Sequence, residues 1–152
     1  MGDSVATNHV GGETATLSVP ASTTGHETIS SSIEITALNG GFNSVGIVDN
    51  AASVSNDSIA CSLFTYMGTR GLSATDTNDL NTSVVSNFEM MIATYIFEER
   101  RDTTSYVCTA RRGGTNDPVP ATFALVNDPY TAGVLVVGAA VQVQWFMVVS
   151  NP

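Results

Sequence analysis

Lysine is absent from the 152 residues, and arginine occurs five times, at positions 70, 100, 101, 111 and 112. Before Arg70 the acidic residues Asp3, Glu13, Glu27, Glu34, Asp49 and Asp57 stand without a lysine or arginine. A segment of that sign repels phosphate, so packaging of a genome by a basic arm is excluded and no direct nucleic-acid binding is expected. Charge of either sign is scarce: 12% of the residues are charged, against about 25% in ordinary soluble domains. Together with a slightly positive mean hydropathy, that leaves an isolated monomer with an unusually uncharged surface. Burial of that surface in an assembly is the expectation.

Other absences narrow the chemistry. The opening residues, MGDSVATNHV, have neither the basic start nor the apolar run of a secretory signal, so the chain reads as made in a cytoplasm. The pattern for N-myristoylation fails at Ala6. The longest apolar stretch, Gly133 to Val149, contains Gln142 and Gln144 and falls short of the roughly 20 residues of a spanning helix, so it belongs to a core. No phosphate-binding loop, dinucleotide fingerprint or HExxH motif is present. The only histidines, His9 and His26, lie in a poorly patterned first segment, where no packed scaffold would hold a catalytic triad. Glu98 and Glu99 are neighbours, and on a strand neighbours point to opposite faces, so they cannot flank one glycosidic bond.

Asp117 and Asp128 sit in matching Asn-Asp-Pro turns that could offer oxygens to calcium, but turn capping explains the same residues. No cofactor, metal or catalytic residue is expected. Cys61 and Cys108 lack the CxxC spacing of a redox pair and are too few for a zinc site. Buried free thiols are the default reading, and a disulfide is plausible only in an oxidising compartment or after release from a cell.

What is present is two-fold periodicity. Residues 1–13 carry none and form a flexible arm, and residues 14–152 make one domain. Ala15, Leu17 and Val19 alternate with polar residues up to Pro20, and Ile29, Ser31, Ile33, Ile35 and Ala37 share one face before the Asn39-Gly40-Gly41 turn. Val45 to Val48 and Ile59 to Met67 give two more strands, and residues 68–82 read as a loop long enough to carry an interaction. Phe88 to Phe97 fits a strand better than a helix over 83–98, because the polar EERRDTT turn and the β-rich SYVCTA run follow it as the second half of a hairpin. Thr122 to Val126 is short, and Leu135 to Val149 reads as one long final strand. The sum is an all-β, antiparallel β-sandwich or jelly roll of about eight strands.

Arg100, Arg101, Arg111 and Arg112 flank the expected hairpin. A local ion-pair ladder would account for them. The sharper expectation is a contact between subunits, in which these forks meet carboxylates of a neighbour's base-free first 69 residues. Tyr130, beside a proline in a loop, is the candidate for stacking on a ligand, with Tyr66, Tyr95 and Trp145 behind it.

In its Ser/Thr/Ala/Gly-rich strands, absent lysine, flexible first residues and apolar final run AGVLVVGAAVQVQWFMVV, the chain resembles small all-β viral capsid or virion-surface proteins. The resemblance implies a non-enzymatic, homo-oligomeric structural component of a virion, whose partners are itself and other capsid subunits. The acidic balance places it in a surface, decoration or protrusion role. A carbohydrate- or receptor-binding β-sandwich module is the alternative.

Overall fold

The computed structural model describes residues 4–6, 13–20, 27–49, 59–76, 82–86, 88–102, 105–113, 121–123 and 131–150. They form β1 (Ser4–Ala6), β2 (Glu13–Pro20), β3 (Glu27–Leu38), β4 (Asn43–Val48), β5 (Ile59–Tyr66) and β6 (Thr69–Asp76). There follow β7 (Thr82–Ser86), β8 (Thr94–Asp102), β9 (Ser105–Arg112), β10 (Ala121–Phe123), β11 (Thr131–Val137) and β12 (Ala139–Ser150). They pack as two six-stranded antiparallel sheets: the first in the order β1-β12-β3-β8-β9-β10, the second β2-β11-β4-β5-β6-β7. The fold is a β-sandwich of jelly-roll type, and none of the described residues is helical.

The core lies where the alternation puts it. Ile29, Ile33 and Ile35 of β3 meet Val45 and Ile47 of β4, Leu63 of β5, Leu72 of β6, and Tyr95 and Phe97 of β8 in one buried cluster. Removing each such side chain from water contributes about 1.5–3 kcal/mol.

More strands are described than the eight or so expected, for three reasons. Residues 68–82 are not a loop: Thr69–Asp76 is fully paired with β5, and Leu72 and Ala74 point into the core. The turn that makes this possible is Met67-Gly68, both in the left-handed region at φ 46° and 83°, the geometry of a two-residue hairpin whose twist matches its strands. Methionine is a poor signal for that turn. Second, the final apolar run is two strands in different sheets, broken at Gly138 (φ 63°), where the chain crosses from β11 to β12. Third, Ser4–Ala6 of the expected arm is paired antiparallel with β12; the arm's other residues up to Gly12 lie outside the described set. Residues 88–93 are neither helix nor strand, and β8 starts only at Thr94, running through Glu98–Asp102 where a turn was expected.

The cysteines are not free thiols. Cys61 of β5 and Cys108 of β9 are bonded, Cα to Cα 5.4 Å, fastening one sheet to the other through the core.

Candidate functional site

The two outer faces of the sandwich differ. On the second sheet the outward residues Ser44, Val48, Ala60, Ser62 and Ser73 are all buried. The outer face of the first sheet is open, and a fault in strand pairing gives it its character. β12 follows β3 in register at Val143↔Ile33 and again at Trp145↔Ser32, which leaves Gln144 as an extra residue, a β-bulge. Because side chains alternate, one extra residue reverses the parity of all that follows. Val141 and Val143 face the core before the bulge; Phe146 and Val148 pack against it afterwards. Trp145, Met147 and Val149 are thereby turned to solvent, the indole 42% exposed. Two adjacent serines pin the bulge: Ser31 Oγ donates to the Trp145 carbonyl and Ser32 Oγ to Gln144 Oε1, each at 2.8 Å.

Around the indole the register sets out rows across β12, β3, β8 and β9: Trp145, Ser32, Ile96, Arg111; then Met147, Ser30, Glu98, Thr109; then Val149, Thr28, Arg100, Val107. Three interstrand steps of about 4.8 Å put Trp145 and Arg111 roughly 14 Å apart. Ser30 and Ser32 are small and buried, so the central strand is a low floor between taller side chains on β12 and β8. Arg111 and Glu98 approach to 3.9 Å with both side chains substantially solvated, a contact too exposed to occupy either group strongly. The face offers an aromatic plane, an amide, a carboxylate and guanidinium donors: an apolar stacking surface ringed by groups that exchange hydrogen bonds.

The four arginines do not act together. Arg100 and Arg111 are exposed on this outer face. Arg101 is only 3% exposed, on the inward side of β8, and cannot meet a partner subunit as it stands. Arg112 is half-buried on the opposite side from Arg111, where its guanidinium donates to Met91 Sδ. Tyr95 is fully buried and unavailable for stacking, its hydroxyl accepting from the Met91 amide. Tyr66 is exposed, edge-on to Phe42. Tyr130, Asp117, Asp128, His9 and His26 lie outside the described residues. Among the described residues, no group of three or more His, Cys, Asp or Glu side chains is placed to hold a metal ion.

The sequence reading missed a second cluster, inside the sandwich. Glu27 of β3, Arg101 of β8 and Tyr106 of β9 form one cross-strand row; Glu99 lies two residues along β8 on the same inward face, opposite Cys108. Asp49, which ends β4, adds its charge from the second sheet. All five are buried. Burial above all, and then the charge of Asp49, holds the Glu99 carboxyl well above the ordinary carboxylate range, against the opposing pull of the Tyr106 hydrogen bond and Arg101. Burial and the Glu99 charge likewise push the Tyr106 phenol up. The alternation that sends Tyr95 and Phe97 inward continues to Glu99 and Arg101, and was the available signal.

No protein-family model matches the chain, nor does any curated protein. Solved structures match its fold. A functionally unknown protein from Saccharomyces cerevisiae superposes with a TM-score of 0.71 at 10% identity, covering 91% of this chain and 76% of that one. The CBM2 module of an evolved Dit from Lactobacillus casei BL23 phage J-1 gives 0.60 at 9% identity, covering 86% and 66%. Sheep galectin-11 gives 0.56 at 10% identity, covering 90% and 98%. The chain spans 28% of the length of the larger GH43 and xylosidase chains to which it is also similar. At such identities the likeness establishes the antiparallel sandwich alone.

Proposed function

We propose that this chain is a non-catalytic recognition module that binds a saccharide chain on the outer face of the first sheet, across Trp145. The observation that carries this reading is the bulge at Gln144, which turns a tryptophan out of the core and fixes it beside the solvated Gln144, Glu98 and Arg111. Bulges recur where a strand must re-aim a functional side chain. An indole plane suits the apolar face of a pyranose, and the mixed donors and acceptors suit its hydroxyls. The CBM2 module and galectin-11 lend the reading support from proteins of similar fold. Trp145→Ala is expected to weaken binding on a glycan array and in calorimetry by about tenfold or more, as loss of a central aromatic anchor does. Its thermal midpoint should stay close to that of the parent, since the side chain stands outside the core. A Trp145→Ala variant that binds as the parent does removes the reading.

A second reading, a surface component of a virion or similar particle, draws on the exposed Met147 and Val149 beside that tryptophan and on Arg100 and Arg111 across the same face. Apolar burial would then supply the affinity and the arginines the orientation. Light scattering through a salt series tests it, with assembly slowing as salt rises and slowing further in Arg100→Glu, Arg111→Glu. A chain that remains monomeric at high concentration, with no particle to join, ends it.

A further inference from the structure

The interior beside the Cys61–Cys108 bridge holds three carboxylates, those of Glu27, Asp49 and Glu99, and one guanidinium, that of Arg101. Each carboxylate-bearing residue is at most 5% exposed, and neither oxygen of Glu27 has a hydrogen-bond partner. Ionising all three would set three negative charges against one positive in a medium that solvates ions poorly. We propose that Glu99 is a built-in proton switch: the sandwich closes around its neutral, protonated carboxyl, and losing that proton as pH rises loosens this end of the interior.

Geometry singles out Glu99 within the cluster. It is 1% exposed at the middle of the array, diagonal to Glu27 on β3, two residues from Arg101 on its own strand, beside Tyr106 and opposite the bonded Cys108 on β9, with Asp49 facing it from the second sheet. Of the groups around it only Arg101 favours its charge electrostatically; Asp49 and Glu27 oppose it, as burial does. The sign follows from linkage. In the unfolded chain Glu99 has the ordinary affinity of a carboxylate for protons, whereas in the folded chain it holds its proton to a higher pH. Its contribution to stability is therefore present in mild acid and is lost as pH climbs through the folded value. Acid tightens this fold and base loosens it, the reverse of ordinary acid denaturation.

Thermal melts of the intact, disulfide-bonded chain are the test. The midpoint should fall by at least about 5 °C between about pH 5 and about pH 8. Glu99→Gln keeps the shape and hydrogen-bonding capacity of the neutral carboxyl, so it should flatten that slope and melt above the parent at the alkaline end. Glu98→Gln, on the exposed face of the same strand, should leave the slope intact. Should Glu99→Gln fail to fold, proton release on unfolding the parent near neutral pH, measured by calorimetry in buffers of different ionisation enthalpy, decides the matter. A flat parent profile, an unchanged slope in Glu99→Gln, or unfolding without proton release overturns the proposal.

Discussion

Replacing Gly138 with alanine lowers the thermal midpoint steeply, and replacing it with valine leaves no folded protein to measure. At φ 63° an L-residue meets a conformational penalty of about 1–2 kcal/mol. The greater obstacle is space: a Cβ built there runs into the Phe42 carbonyl oxygen and lies 3.1 Å from Asn43 Oδ1. Neither neighbour can yield easily, because Phe42 leads directly into β4 and the Asn39 amide donates to the Gly138 carbonyl at 2.8 Å. Gly113 is the control. Its φ of 59° is almost the same, yet nothing lies within 4 Å of its virtual Cβ, so Gly113→Ala should cost the conformational penalty alone. The difference between the two melts isolates the steric part. Equal melts would mean that the crossing between sheets does not depend on this contact.

The disulfide carries an effect of similar size. It closes a separation of 47 residues, for which restriction of the unfolded chain gives about 4 kcal/mol. Cys61→Ala, Cys108→Ala should therefore melt about 10 °C below the oxidised parent. The parent held in reductant through an unfolding and refolding cycle should behave like the variant. Because both sulfur-bearing residues are inaccessible in the folded state, reductant added to native protein should act only as fast as the sandwich opens. A double variant melting with the oxidised parent would remove the staple from the account of stability. A chain read as cytoplasmic and thiol-bearing thus has its core closed by a bond that persists in oxidising surroundings.

The class of fold was legible because alternation is a local property. β3 announces itself through Ile29, Ile33 and Ile35, and β2, β4, β5 and β9 are similarly clear. What escaped depended on distant partners or on a single backbone angle. Gly138 interrupts an apolar run that is otherwise continuous, and only the location of β4 and β3 in separate sheets tells the two halves apart. Met67-Gly68 makes a hairpin with a residue that rarely adopts its conformation, so β6 was read as loop. Arg100 with Arg101, and Arg111 with Arg112, were grouped as one surface although the opposite-face rule that separated Glu98 from Glu99 separates them too. The expectation that charge stays in solvent outweighed the periodicity at Glu99 and Arg101. Trp145 was noticed as an aromatic, but its outward aim arises from Gln144 having no counterpart on β3, which one strand's sequence does not contain.

The bulge makes the outer face of β12 sensitive to length rather than to identity. Between Gln144 and Ser150 the strand tolerates a change of side chain at 145, 147 or 149 without disturbing the interior. Omission of any single residue there would exchange the two faces, sending the indole toward the core and Phe146 or Val148 into water. Diversification of the recognition face is therefore open to point substitution and closed to single-residue insertions and deletions, so variants selected for new ligands should keep this strand at constant length.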